Sequence, residues 1–279
     1  MVRPADRRQV VAYLVTHHRF SERRACQLIQ LPRATMRYRA RPRDHTAVRE
    51  RLRTLAQERP RFGYRRLTIL LRREFGALNH KRVYRLYCAE GLRVRRRVRK
   101  RIAATSRPTR TEPTVIGAAW SVDFTHDTLA GGRTFRTLNI IDRVSRVCHA
   151  ITVDTALPSG RVIREFERVV AEVGQPGEIR VDNGPEFISR ALDTWAAGRG
   201  ITLDFTRPGK PTDNGHIESF NGKFRDECLN QHWFLSLGDA RQLIEAWRLD
   251  YNSVRPHSAL GNLTPQAYCA QQRSESPPV

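Results

Sequence analysis

The spacing of apolar residues along this chain changes character once, between residues 103 and 120. Before that point it is helical. Ser21 stands where it can cap a helix carrying Ala25, Leu28 and Ile29 on one face, and LPRAT breaks the chain before it restarts at MRYR. A short helix, a tight turn and a short basic helix make the helix-turn-helix plan, with Arg33 and Arg37 as candidate contacts of the second helix. HTAVRERLRTLAQE puts Val48, Leu52 and Leu55 at helical spacing and predicts a packing helix. GYRRLTILLRREFG reads as a helix closed by Gly76, and Asn79 caps HKRVYRLYCAE, which Gly91 ends. Val83, Leu86 and Tyr87 form the inward stripe of that last helix, so Lys81, Arg82 and Arg85 face elsewhere. The expected divisions are a helix-turn-helix unit over 1–42 and a second helical unit over 43–102. Taken alone, either helix pair is equally well a small packing module with solvated arginines.

From Trp120 the period becomes that of strands. AAWSVDFT is a continuous apolar run suited to a strand buried on both faces. AGGRTF supplies a glycine turn into RTLNIIDR, and RVCHAITVD follows, which predicts an antiparallel meander of three strands. SGRVIREFERVVAEVG repeats Val162, Ile163, Phe166, Val169 and Val170 at helical spacing before PGEIRVDNG begins a new strand, a parallel crossover. A helix through ALDTWAAGRG, a short strand ITLDF and a helix from about Asp213 through Cys228 complete the order. Three antiparallel strands followed by alternating helices and strands is the ribonuclease-H-like order. The fold class expected is therefore α/β, a mixed five-stranded sheet with helices over 115–270, preceded by an all-α helix-turn-helix region. TSRPTRTEPT makes a linker over 103–114, GDARQLIEAWRLDYN a covering helix through Leu243, Ile244, Trp247 and Tyr251, and 271–279 a disordered tail.

In that order three carboxylates fall where they can converge. Asp123 lies inside the first, central strand among Ala, Trp, Val and Phe, where a charge is costly without a cation or strong donors. Asp182 stands at the carboxyl end of the neighbouring strand, where Asn183 and Gly184 turn the backbone sharply. Glu218 follows after 218 − 182 − 1 = 35 residues and projects from a helix, with Arg225 two turns further along the same face. Separated carboxylates that meet suit two divalent metal ions, the arrangement that performs in-line phosphoryl transfer on nucleic acid. Each acid alone has a plainer reading: Asp182 as part of an Asn-Gly turn, Glu218 as a solvated helix acid, Asp123 as a strand-end residue. The competing acids are Asp127, Asp142, Asp213 and Glu186: Asp127 is expected to follow the strand and Asp142 to sit before a basic turn, each orienting an arginine or capping backbone, and Asp213 to cap the Glu218 helix.

Charge identifies the partner. Residues 1–110 hold 32 Lys or Arg against 7 Asp or Glu, and 111–279 hold 18 against 21, so +25 and −3 make the net +22. A surplus this localised is the footprint of a polyanion binder, whose affinity falls with salt as counterions are released. RVRRRVRKR, from Arg93 to Arg101, sets seven cations in nine residues, and Arg95, Arg96, Arg97 and Lys100 are candidates for phosphate tracking with little base specificity. Lys223 and Arg225 are the corresponding cations near Glu218. Cys26, Cys88, Cys148, Cys228 and Cys269 are scattered, which excludes a zinc ribbon and a secreted disulfide framework. With neither an apolar leader nor a membrane-length run, the expectation is a cytoplasmic protein that works at the nucleoid and not at a membrane.

RFGYRRL and NHKRVYRLY in the basic half, then WSVDFT, VDNGPEF, GHIESFNGKFRDE and YNSVRPHSALGNLTPQAY, resemble the OrfB-type transposases of frameshifting bacterial insertion sequences, DDE-group relatives of retroviral integrases. The resemblance covers nearly the whole chain. It implies Asp123, Asp182 and Glu218 as the metal-binding triad, Arg225 as the basic residue after the glutamate, and Mg²⁺ or Mn²⁺, two ions, as cofactor. It implies cleavage of the element's ends and joining of 3′-hydroxyl ends to target DNA, by a homo-oligomer on DNA. Fusion to or association with an upstream OrfA product is a further implication. His17, His18 and Cys26 lack the spacing of the retroviral zinc module, so no zinc is expected. Arg255 and His257 in the last motif are read as DNA contacts or as packing residues. Two rivals remain, a catalytically inactive DNA-binding regulator and a nuclease or resolvase on the same fold.

Overall fold

The structure is a computed structural model that describes residues 3–39, 44–94, 112–207 and 214–275. The chain divides into two compact units, Met1–Ala47 and Val48–Val279. Arg95, Arg96, Arg97, Lys100 and Asp213 lie outside the described residues.

In the first unit α1 (Pro4–His18), α2 (Glu22–Leu28) and α3 (Arg33–Arg37) enclose a small core of Val11, Ala25, Cys26 and Leu31. Ser21 caps α2 by accepting the Arg24 N–H, as its position before the helix predicts. Three features differ from expectation. The helix α1 is additional, Leu28 points outward at 57% exposure, and α3 begins before MRYR and is five residues long. α1 buries Val11 alone while Val10, Tyr13 and Val15 stay exposed, so its apolar residues form no stripe that periodicity could detect. Arg33 and Arg37 both reach Glu22, at 3.2 and 2.9 Å.

The second unit opens with α4 (Thr46–Glu58), α5 (Tyr64–Phe75) and α6 (His80–Ala89), packed through Leu52, Leu55, Leu67, Leu71, Val83 and Leu86. Asn79 caps α6 by accepting the Lys81 N–H, and Gly76, at φ 72°, closes α5. Lys81 and Arg85 are exposed on α6 and Arg82 is half-buried. These helices are tied to the C-terminal half by arginines: Arg59 holds Asp250 with two bonds of 2.7 and 2.6 Å, and Arg73 donates to the Val254 carbonyl.

Five strands follow, β1 (Ala119–Thr128), β2 (Thr134–Asp142), β3 (Cys148–Asp154), β4 (Glu178–Val181) and β5 (Thr202–Phe205), in the order β3-β2-β1-β4-β5. β1, β2 and β3 are antiparallel, and β4 and β5 add in parallel on the other side of β1, the ribonuclease-H-like arrangement. β1 runs through Asp127 because pairing continues to Thr128 opposite Thr134, so Asp127 lies in the strand and does not follow it.

Alternation along the strands assigns two faces. Trp120, Val122, Leu138 and Ile140 pack under α7 (Ser159–Val173) and α8 (Arg190–Gly198), around Phe166, Val169, Phe187 and Leu192. Phe135, Ile141, Ile151 and Val153 meet α9 (Gly215–Glu227) and α10 (Leu237–Ser253), through Ile217, Phe220, Phe224, Ile244, Trp247 and Tyr251. The covering role expected of α10 is thereby met. α11 (Pro265–Glu275), whose start Thr264 caps by accepting the Ala267 N–H, continues into the segment expected to be a disordered tail.

Arg255 and His257 are packing residues, at 1% and 4% exposure. Burial, together with Arg255 and Lys223, pushes the His257 imidazole down to about 3. Below its ordinary value of 6.5 the unfolded chain binds a proton that the native state refuses until about pH 3. Stability from this site is therefore full above pH 6.5 and is lost as pH falls toward 3, on the order of 5 kcal/mol over that window. Urea unfolding of His257→Gln against wild type, from pH 7 to 4, should show a shallower pH dependence in the variant; parallel curves would refute this origin.

Candidate active site

Parity places Asp123 on the α9 face of the sheet with Ser121 and Thr125, while its neighbours Val122 and Phe124 point to the opposite layer. Directly across the ladder sits Asn139, with Thr137 two residues before it. These buried polar groups form one chain. Thr125 and Thr137 share a 2.5 Å hydrogen bond, Thr137 donates to the Asn139 carbonyl oxygen at 3.0 Å, and Asn139 donates to Asn221 at 2.8 Å. Asn221 then donates to Asp123 Oδ2 at 2.7 Å, while Oδ1 accepts the Phe124 N–H. Satisfying each member rigidifies the set and ties α9 to the central strand.

α9 carries three stripes. Ile217, Phe220 and Phe224 form a buried keel, each worth roughly 1.5–3 kcal/mol on full burial. Glu218, Asn221 and Arg225 follow one flank, where Glu218 and Arg225 are exposed and Arg225 donates to the His126 carbonyl at 3.1 Å. His216, Ser219 and Lys223 follow the other, so Lys223 stands on the flank opposite Glu218 and bonds to Ser219 at 3.0 Å. The residue before α9 is Asn214, which makes no side-chain capping bond.

Asp182 follows β4 directly. Its Oδ1 accepts the Gly184 N–H at 3.0 Å, and a Cβ at Gly184 would lie 2.9 Å from that oxygen and 3.3 Å from Glu186 Oε2. A side chain there would displace the carboxylate, because the turn wraps against it. Gly184→Ala should leave the fold intact and lower the cleavage rate roughly tenfold to a hundredfold, since small displacements of a reacting group carry such costs; unchanged rates would show that the carboxylate position does not matter. Glu186, partly desolvated, is held below its usual range by Arg136, whose guanidinium also lies 4.4 Å over the Phe124 ring. Asp142 accepts from Gly117, Val144 and Ser145, the backbone-capping role expected of it.

Burial pushes the Asp123 carboxyl up to about 6; the Phe124 N–H opposes this, and the charges of Asp182 and Glu218 push it further up. Asp182 and Glu218 therefore both bear on Asp123. Among the described residues no three metal-ligating side chains stand close enough together to hold an ion in place. An all-oxygen donor set whose members repel is nevertheless the chemistry that suits a hard divalent cation, and the Gly184 turn keeps side chains away from Asp182.

Sequence reasoning overlooked Asn139 and Asn221. A usable signal was present: Asn139 breaks an apolar strand at the same parity as Phe135 and Ile141, and Asn221 lies one turn beyond Glu218.

Comparison with known proteins bears on this arrangement. Residues 115–211 and 199–265 match integrase core domain models, and residues 43–101 match an HTH-like domain. The chain is 47% identical over 255 residues to the uncharacterized 31.7 kDa protein of insertion element IS407 from Burkholderia multivorans (strain ATCC 17616 / 249), covering 91% of this chain and 92% of that one. The chain belongs to the OrfB-type insertion-sequence transposases. A second member, the uncharacterized 39.2 kDa protein of insertion element IS476 from Xanthomonas euvesicatoria, is 42% identical over 273 residues, 98% of this chain and 79% of that one. Transposase InsD of insertion element IS2D from Escherichia coli (strain K12) is 27% identical over 249 residues, 84% and 82% of the two chains. In fold the chain is similar to a component of the simian T-cell lymphotropic virus intasome in complex with PP2A regulatory subunit B56 gamma, with a TM-score of 0.51, 17% identity and coverage of 78% and 73%. Family membership makes this chain a DNA-cutting-and-joining enzyme. Among the described residues no helix is long and apolar enough to cross a membrane.

Proposed function

We propose that this transposase cleaves the ends of its insertion element and joins the resulting 3′-hydroxyl ends to target DNA at Asp123, Asp182 and Glu218. The observation that carries the proposal is the placement of Asp123 on β1, Asp182 at the end of the neighbouring strand β4 and Glu218 on α9, whose Asn221 is bonded to Asp123. Two divalent ions, Mg²⁺ or Mn²⁺, held by these carboxylates would supply charge stabilisation at the attacking and leaving oxygens.

The chain's own residues perform the remaining tasks. Asp123 and Asp182 are fixed by the sheet, Asp123 by Asn221 and the Phe124 N–H and Asp182 by the Gly184 N–H. Glu218 approaches from α9 and can adjust with it, since its side chain is exposed and makes no hydrogen bond to the sheet among the described residues. Arg225, on the same flank, offers a guanidinium for a DNA phosphate. Lys81 and Arg85 on α6, together with Arg82, provide phosphate contacts that position the duplex without reading it. Arg33 and Arg37 serve the same end in the first unit once DNA competes for them with Glu22. The basic segment containing Arg95, Arg96, Arg97 and Lys100 adds salt-sensitive affinity. Assembly as a homo-oligomer on DNA, with an OrfA product fused or associated, belongs to the same reading.

The test is cleavage and strand transfer on oligonucleotides carrying the inverted repeats that flank the coding region, with either metal and with each acid changed singly to Asn or Gln. DNA binding without metal-dependent nicking would favour a regulator, and nicking without joining would favour a nuclease or resolvase.

A further inference from the structure

The flank of α9 away from the carboxylates faces a cavity of about 150 Å³ that the proposed chemistry does not use. Arg66, Arg146, Lys223 and Arg255 contribute cations to its wall, with His216 and Ser219 between them. Glu227 is the acid that answers part of this charge, holding Arg255 with two 2.7 Å bonds and Arg66 with one of 2.9 Å. Arg146 and Lys223 have no carboxylate partner among the described residues: Arg146 bonds the His216 ring, which turns its other nitrogen to Glu112 at 3.0 Å, and Lys223 bonds the Ser219 hydroxyl.

We propose that this cavity is a phosphate site, in which Lys223 and Arg146 grip a tetrahedral oxyanion with the Ser219 hydroxyl as a further donor. A cavity needs roughly 10–15 Å³ to hold one water, so about 150 Å³ admits a phosphate and residual water. Burial, then Arg255 and Arg66, pulls the Lys223 ammonium down to about 8, and burial also lowers Arg146. Burial is the leading cause in both, and an anion seated between the two cations would offset its cost.

The source of the phosphate is indicated by what adjoins the cavity. A groove of about 1210 Å³ shares Arg66, Lys223 and Ser258 with it and continues along Tyr64, Arg65 and Arg72. Arg65 and Arg72 bond to a tyrosine hydroxyl and a backbone carbonyl. A groove in which Arg61, Arg65, Arg66, Arg72 and Lys223 outnumber Asp226 and Glu227 fits a nucleic-acid strand, with one backbone phosphate seated in the cavity.

The test uses the full chain without metal, so it stands apart from cleavage. Isothermal calorimetry with inorganic phosphate at constant ionic strength should show saturable binding, which Lys223→Met weakens roughly tenfold to a hundredfold and Arg146→Gln weakens similarly. In chloride alone Lys223→Met should unfold at a higher temperature than wild type, because it deletes a repelled cation, and phosphate should add little further; a lysine with a merely structural role would give the opposite shift. Arg168→Gln on α7, whose partners are Glu165 and Glu172, should bind as wild type does. Displacement of phosphate by a short duplex assigns the site to the DNA backbone, and coexistence assigns it to free phosphate. A response that follows ionic strength without saturating, or wild-type affinity in Lys223→Met, would overturn the proposal.

Discussion

Asp182→Asn is expected to leave a folded protein that neither cleaves nor joins DNA. The amide occupies nearly the same volume, and its carbonyl oxygen still accepts the Gly184 N–H that shapes the turn. What disappears is one negative charge at the end of β4. Loss of a charge that stabilises the transition state costs at least two to three orders of magnitude in rate, so turnover should fall roughly a thousandfold or more. The substitution also relieves repulsion on Asp123, whose carboxyl Asp182 helps to push up to about 6. The variant should therefore be no less stable than wild type in metal-free buffer, and slightly more stable above pH 6. More than trace strand transfer by a well-folded Asp182→Asn protein would rule out this acid as a member of the site.

Glu227→Ala should have the largest effect on stability. Glu227 stands at the end of α9 between Arg66 on α5 and Arg255 in the C-terminal turn, and Arg255 is 1% exposed. Truncation leaves a buried guanidinium without its counterion, a loss of about 3–5 kcal/mol. For a unit of this size that corresponds to a fall in unfolding temperature of roughly 10 °C. Glu227→Gln keeps an acceptor for Arg255 and should lose less. Calorimetric scans of both variants decide the matter: a shift of under about 2 °C for Glu227→Ala would mean that water already screens Arg255.

The strands were legible in the sequence because they carry their own periods. β1 to β3 show continuous or alternating apolar runs with glycine turns, and the crossover helix α7 repeats its stripe without interruption. Asp123 stood out for the converse reason, a charge where the pattern demands an apolar residue. α1 could not be read, since its apolar side chains lie all round the helix. The end of β1 was misjudged because His126, Asp127 and Thr128 look like a turn, while cross-strand pairing, which is not local, holds them in the ladder. The cationic cavity was equally hidden: Arg66, Arg146, Lys223 and Arg255 are assembled by tertiary packing from four distant segments. Arg255 was open to a reading as a DNA contact or as a packing residue, and its burial against Glu227 could not be foreseen, since a salt bridge across 28 positions leaves no trace in composition.

The pairing of Asp123 with Asn139 bears on how the hairpin finds its alignment. Sliding β2 by one residue would set Leu138 or Ile140 against the carboxylate, leaving the acid without its amide relay and turning apolar side chains toward the wrong layer. Neighbouring alignments are therefore penalised twice, by desolvated charge and by exposed hydrocarbon. The same aspartate that is proposed for the chemistry thus favours a single strand pairing.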